Sequence, residues 1–258
     1  MNRTKIPWAD WTWNPIEGCN PISEGCANCY AASMAHRFGR PWGGPVFHED
    51  KIHEPEDVKK PGRVFVCSTS DLFHEELTGA GFRNERGATD VSLIKARWPD
   101  LYGLLPILFV RDAILATPRH TYMVLTKRPQ NIPKCWATPG LWLGATVENQ
   151  ARAEERIPLL LEHPAAVHFV SVEPMLEPVD LSKWMLPEGD LLDWVIAGPE
   201  TGRKARRCDG AWIDALAEQS PCFFDKRKEW TRREFPVPNS ALIGGADVRS
   251  KDIVEGSH

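Results

Sequence analysis

No stretch of this chain strings together the roughly 18 apolar residues that a membrane-crossing helix needs, and its opening, MNRTKIPWADW, lacks the apolar core of a secretory signal. The expectation is a cytoplasmic protein with no membrane partner. Cysteines number only seven in 258 residues, an odd count that suits no complete disulfide framework in a chain long enough to bury its own core. Reduced thiols are expected. A strong excess of one charge is also missing: 31 Lys and Arg stand against 35 Asp and Glu, a formal net charge of −4. That balance argues against wholesale polyanion binding and says nothing of local patches. Internal repeats, linkers and low-complexity tracts are lacking too. One domain across 1–258 is the economical reading, with Gly256-Ser257-His258 set aside as a cloning remnant.

What is present is concentrated near the start. Cys19, Cys26 and Cys29 stand in CNPISEGCANC with the spacing C-x6-C-x2-C, which brings three thiolates towards one point and leaves a fourth position open. Such a set suits a soft metal centre, either zinc with one further ligand or a cubane iron–sulfur cluster whose fourth iron takes something else. Gly18 and Gly25 each precede a cysteine, and Pro15 and Pro21 break any helix, so residues 15–30 read as a loop able to wrap a cluster. The remaining cysteines, Cys67, Cys135, Cys208 and Cys222, are scattered in or near apolar segments and read as structural.

Beyond the loop one unit recurs, a short β-branched apolar run ending in small or polar residues: RVFVCSTSD (63–71), HTYMVLTKRP (120–129), LWLGATVEN (141–149), VHFVSVEPM (167–175), DWVIAGPETG (193–202) and CFFDKR (222–227). Uninterrupted apolar runs of this length suit strands buried on both faces of a parallel sheet. Helical segments are expected at Gln150 to Glu162, at Ala211 to Gln219 and from Ser92 to Leu115, the last interrupted by Pro99 and Pro106. With a further strand near Trp11 to Trp13, the chain reads as an α/β fold of about six to seven parallel strands, a partial (β/α) barrel. Residues 36–62, rich in Gly, Pro and charge, form an irregular excursion after the first helix.

Parallel sheets bind ligands at the carboxyl ends of their strands. The residues just after each run therefore become candidates: Ser68, Ser70 and Asp71; Thr126, Lys127 and Arg128; Thr146, Glu148 and Asn149; Ser171 and Glu173; Glu200 and Thr201; Asp225 and Lys226. One basic patch is visible between Arg203 and Arg233, nine cations with Phe223, Phe224 and Trp230 interleaved.

Three cysteines after a first strand resemble the radical S-adenosylmethionine (SAM) superfamily. The segments WTWNPIEGCNPISEGCANCYA, VCSTSDLF, TYMVLTKRP, LGATVENQ, SVEPML and VIAGPETGRKARR, in this order from Trp11 to Arg207, are similar to the phage-associated three-cysteine-motif family, a radical-SAM-like group of unknown function. The resemblance implies a partial barrel of the radical SAM type and a [4Fe-4S] cluster on Cys19, Cys26 and Cys29. It implies SAM as cofactor, an external electron donor, and hydrogen abstraction from an unidentified substrate, with a DNA or RNA base as one candidate. Within it, Ser68, Ser70 and Asp71 would take the SAM ammonium, Lys127 or Arg128 its carboxylate, and Glu148 or Asn149 its ribose, with Thr146 beside them. Glu173 and Glu200 are left for substrate or proton transfer. Two positions depart from the pattern. The first cysteine gap is six residues where the superfamily has three, and Pro199 stands where the family has Gly, removing one backbone N–H. Two other classes stay open: a zinc-stabilised nucleic-acid-binding module completed by His36, His48 or His53, and an iron–sulfur protein that does not cleave SAM.

Overall fold

The computed structural model describes residues 1–78, 83–84, 105–134, 136, 138, 140–185, 191–227 and 232–238. Residues 92–104 of the expected long helix, Cys135, Lys228, Trp230 and the last three residues lie outside them. The strands are β1 (Asn2–Arg3), β2 (Trp11–Trp13), β3 (Ile16–Glu17), β4 (Val46–Phe47), β5 (Arg63–Val66), β6 (Arg83–Asn84), β7 (Thr121–Thr126), β8 (Trp142–Thr146), β9 (Val167–Val172), β10 (Trp194–Ala197) and β11 (Phe223–Asp225). The α-helices are α1 (Tyr30–Arg37), α2 (Glu54–Asp57), α3 (Glu75–Thr78), α4 (Leu105–Ala116), α5 (Gln150–Leu161) and α6 (Gly210–Gln219).

All six apolar runs and the segment at Trp11 become strands of one mixed α/β sheet. Its order is β1-β2-β5-β7-β8-β9-β10-β11, antiparallel only at the β1–β2 edge. The registers Trp13 to Val66, Val66 to Val124, Thr126 to Ala145, Thr146 to Ser171 and Ala197 to Asp225 bring the carboxyl ends of the parallel strands to one side. The excursion after α1 is less irregular than its composition suggests. Its Val46–Phe47 pairs with β3 and β6 in a second small sheet, and Trp13 Nε1 donates to the Lys51 carbonyl at 2.8 Å to pin it against β2.

Both faces of the large sheet are buried, as continuous apolar runs require. Alternate residues Val64, Val66, Val124, Leu143, Ala145, Val170 and Val172 pack with Ile107, Val110, Ile157, Leu160, Ile213 and Leu216 from α4, α5 and α6. The residues between them, Phe65, Met123, Trp142, Phe169, Trp194 and Phe224, form a second cluster with Trp8. This inner cluster shows that the sheet curls. The rings of Phe65 on β5 and Trp194 on β10 lie 4.7 and 6.4 Å from the ring of Trp8, yet strands four places apart in a flat sheet would be separated by roughly 19 Å. Arg63 of β5 likewise stacks 3.8 Å over Phe235, which lies against Trp194. The sheet is thus rolled around Trp8, with no described pairing between β1 and β11.

The two long helices after β8 and β10 start where their caps dictate. Asn149 Oδ1 accepts from the Arg152 amide at 2.9 Å, and Asp209 Oδ1 from the Ala211 amide at 3.0 Å. Pro106 falls in the first turn of α4, where its missing N–H costs no helical bond.

One inner position has no room for a side chain. A Cβ on Gly144 of β8 would lie 2.5 Å from Cζ of Phe169, a ring with no exposed surface. Gly144→Val is therefore expected to destabilise the fold by about 1–3 kcal/mol through overpacking, read as a lowered denaturation midpoint with unchanged slope in urea.

Candidate active site

The cysteine loop is built by close backbone approach. Gly18 has φ +93°, and a Cβ there would come within 2.7 Å of the carbonyl oxygens of Gly43 and Gly44. Its amide donates to the Thr69 carbonyl at 3.1 Å, while its own carbonyl accepts from Ser70 Oγ at 2.6 Å. Cys26 ends a short 3₁₀ turn, and Cys29 occupies the N-cap position of α1. Gly25 lies directly on Glu148: a Cβ there would sit 2.6 Å from Oε1.

Cys19, Cys26 and Cys29 line one cavity of about 470 Å³ at the carboxyl ends of the strands, and all three are free and partly exposed. Its floor is apolar, made by Ile6, Trp8, Phe65 and Leu125. Its walls carry Ser68, Ser70, Asp71, Lys127, Arg128, Thr146, Glu173 and Glu200, together with Thr126, Ser171, Thr201 and Lys226. The period-2 order of the inner face continues upwards, from Phe169 to Ser171 to Glu173 and from Phe224 to Lys226, and this projects polar groups above the aromatic floor. Glu173 pairs with Lys226 and accepts from Ser171 Oγ at 3.2 Å.

Several charged candidates serve the scaffold. Glu148 is fully buried and outside the cavity lining; it pairs with Lys127, accepts from Ser23 Oγ at 2.6 Å and from Arg156 Nη1 at 2.9 Å. Burial pushes its carboxyl up, but Lys127 and Arg156 more than reverse this and hold it below the usual range. Asn149 is spent on the α5 cap. Asp71 accepts from Thr126 Oγ1 at 2.7 Å and from the amides of Lys127 and Phe73 at 2.9 and 3.1 Å. Arg128 is buried and pairs with Asp71 and with Glu75 at 2.6 Å. Its remaining N–H groups reach the Asn20 carbonyl and Cys19 Sγ, at 3.0 and 3.6 Å. Asp225 is buried against Arg227.

Glu200 is likewise a clamp. It accepts from the Arg206 amide and guanidinium and from Asn28 Nδ2, at 2.7 to 2.9 Å for the three bonds to Oε2. Arg206 holds its carboxyl down at about 2, so at neutral pH Glu200 has no proton to give and little tendency to take one. Arg206 also donates to the Glu24 carbonyl at 3.0 Å, and Asn28 Nδ2 to the Lys204 carbonyl at 3.0 Å. Segment 200–206 is thereby fastened to the cysteine loop.

The thiols differ. Burial pushes the Cys19 thiol up to about 11 against the opposing pull of Arg128. Burial would also raise Cys26, but Lys127 and hydrogen bonds from the Ile22 and Ser23 segment outweigh it and lower that thiol. Among the described residues no three His, Cys, Asp or Glu side chains converge on a single-ion site. His36 is exposed, His48 lies 3.6 Å from Glu17, His53 pairs with Glu56, and none of them lines the cavity.

The basic patch divides. Arg227 and Arg232 are held in ion pairs, and Phe223 and Phe224 are core residues with no more than 1% exposure, so they offer no ring to a base. Arg203, Lys204 and Arg207 are exposed beside the cavity wall. The roles of Trp8, Ser23, Asn28 and Arg156 were not visible in sequence; only the Glu148 to Arg156 spacing, spanning the cap and two helical turns, carried a signal.

The Glu200 clamp has a pH signature. A carboxyl whose folded value lies below its ordinary 4.5 contributes its stabilisation fully above that value and loses it as pH falls towards about 2. Wild type should therefore exceed Glu200→Gln in urea stability by a constant margin from pH 7 to about 4.5, and the margin should close below that. A margin that is absent throughout, or grows in acid, would contradict the clamp.

No curated protein matches the chain. Among solved structures, one described as "Spore photoproduct lyase complexed with dinucleoside spore photoproduct" aligns at 10% identity and a TM-score of 0.49, covering 85% of this chain; the chain spans 63% of that structure's length. Likeness at this level carries no functional argument. Among the described residues no helix is long and apolar enough to cross a membrane. A family model matches residues 3–85 and 106–245, covering most of the cysteine loop, strands and clamps described above, and the chain belongs to that family, described as Protein of unknown function (DUF5131).

Proposed function

We propose that this chain is a radical SAM enzyme, a partial (β/α) barrel in which Cys19, Cys26 and Cys29 hold a [4Fe-4S] cluster and SAM occupies the adjoining cavity. The observation that carries the reading is the convergence of all three free cysteines on one cavity at the carboxyl ends of parallel strands. The donor set fits such a cluster. Three thiols sharing one cavity suit the separate irons of a cluster, whereas a zinc ion calls for a fourth ligand at about 2.0–2.3 Å, and none of the described histidines lines the cavity to supply it. When bound, the cluster and SAM supply a 5′-deoxyadenosyl radical that removes hydrogen from substrate.

The chain's own residues position and insulate. Arg128 lies 3.6 Å from Cys19 Sγ, where its charge opposes the effect of burial on that thiol, and Ser23 Oγ, whose proton goes to Glu148, lies 3.6 Å from Cys26 Sγ. Ser68, Ser70, Thr146 and Thr201 offer hydroxyls to the polar groups of SAM. Glu173 and Lys226 present the charged pair on the cavity wall that is not consumed by a clamp, and take the role of contacting substrate or moving a proton. The floor of Ile6, Trp8, Phe65 and Leu125 excludes water from beneath the reacting groups. Exposed Arg203, Lys204 and Arg207 favour a phosphate-bearing substrate such as DNA or RNA.

Anaerobically reconstituted protein should hold about four irons and four sulfides, and Cys19→Ala, Cys26→Ala or Cys29→Ala should abolish the cluster while Cys222→Ser keeps it. With SAM and dithionite the loaded protein should release 5′-deoxyadenosine. Stoichiometric zinc without sulfide would sink the reading; iron and sulfide without SAM cleavage would leave an electron-transfer protein. Joint neutralisation of Arg203, Lys204 and Arg207 should flatten the salt dependence of oligonucleotide binding by up to about three counterions, and a small-molecule substrate is indicated if no such binding exists.

A further inference from the structure

We infer that the chain carries a second ligand site, a phosphate-binding cavity behind the cysteine loop, which does not depend on the cluster reading above. The cavity holds about 340 Å³ and is walled by Ile22 of the loop, by Lys127, Arg128 and Gln130 after β7, and by Arg152 and Arg156 of α5. Lys127 and Arg128 also line the cysteine cavity, so the two spaces share a wall.

The group that points to a ligand is Arg156. Its side chain is 2% exposed, and Nη1 is engaged by the Thr146 carbonyl and Glu148 at 2.6 and 2.9 Å. Its Nε and Nη2 make no hydrogen bond among the described residues, and neither is sealed in the interior. These two nitrogens form the edge of the guanidinium that takes two oxygens of one oxyanion side by side. Three of the five N–H donors are thus idle in a place largely closed to water, where a hydrogen-bonding anion gains most.

Charge and shape select phosphate. Lys127, Arg128 and Arg156 are matched by only two buried carboxylates, Glu148 and Asp71. The other acids facing the site, Glu75 and Glu155 in its lining and Glu24 on Arg152, are about half exposed, and solvent screens their repulsion. Arg152 pairs only with Glu24 and Glu155, contacts weak enough to yield to a ligand. Gln130 is exposed, and its amide makes no hydrogen bond among the described residues. Donors therefore approach from α5 and from the turn after β7, which meets the tetrahedral oxygens of a phosphate better than the plane of a carboxylate. A small metabolite and a nucleic-acid backbone present the same phosphate oxygens.

The full chain, with and without iron, is titrated with inorganic phosphate by calorimetry, and its melting temperature is followed in parallel. Phosphate should bind and raise the melting temperature where chloride at equal ionic strength does not. Arg156→Lys keeps the charge but lacks the paired edge, and should weaken binding about tenfold or more. Gln130→Glu places a like charge at the mouth, and should weaken binding about threefold with unchanged circular dichroism; it decides the matter if Arg156→Lys does not fold. Displacement of phosphate by a short oligonucleotide assigns the site to a nucleic-acid backbone, and displacement by glycerol phosphate alone assigns it to a small metabolite. Absence of phosphate binding overturns the inference. So does binding that neither substitution alters, a chloride effect equal to that of phosphate, or displacement by acetate as effective as by phosphate. Binding is read without reference to iron, so failure of the cluster reading leaves this site standing, and failure of phosphate binding leaves the cluster reading untouched.

Discussion

Glu148 carries a negative charge where its side chain has no exposed surface, and the arrangement of the site depends on how that charge is met. Lys127 reaches it from the end of β7, Arg156 from the second turn of α5, and Ser23 from the cysteine loop. Removing one partner of such a buried set costs about 3–5 kcal/mol, because the remaining charge is stranded. The three elements are therefore locked in one relative position, with Gly25 laid flat on the carboxylate. A second buried pair, Asp71 with Arg128, repeats the device on the other side of the loop, where Arg128 also reaches Asn20 and Cys19. The thiols thus face the cavity from a backbone held by ionic struts on two sides.

Most of the sheet was legible because apolar runs buried on both faces leave an unmistakable trace. Each of the six runs, and the segment at Trp11, is a strand, and Gln150 to Glu162 and Ala211 to Gln219 match α5 and α6 to within a residue. The strand-end rule also picked out residues that share one cavity, since eleven of the thirteen named as metal, cofactor or catalytic candidates line it and Glu148 and Asn149 do not. What sequence did not convey was the use made of each polar group. Asn149 has the identity of a ligand-binding residue and the position of a helix cap, and the cap wins because α5 starts one residue later. Glu200 reads as a proton carrier until Arg206, six residues on, folds back upon it. The aromatic floor was hidden for a different reason: Trp8 precedes the first long run and belongs to no periodic pattern, and only the curl of the sheet brings it beneath the cavity.

A near-neutral composition conceals a division of labour between charges. Inside, Lys127, Arg128 and Lys226 each meet a carboxylate, so the interior is balanced and shielded from salt. Outside, Arg203, Lys204 and Arg207 on one segment and Arg37 and Arg40 on another remain in solvent. The long-range field of these cations is thus set at the surface and is screened within about 8 Å at physiological ionic strength.

The reach of the loop's contacts bears on how the protein is made. Ser23 finds Glu148 across 125 residues, Asn28 finds Lys204 across 176, and Arg206 finds Glu24 across 182. Chains emerge from the ribosome N-terminus first, so the cysteines appear early while the groups that fix their loop are still unsynthesised. A nascent chain accordingly displays three untethered thiols for most of its synthesis, and the pocket that orders them closes only as the final strands arrive. Ordering of the cysteine loop is therefore a late event, and the unclamped loop is the form in which its thiols are most exposed to oxidation.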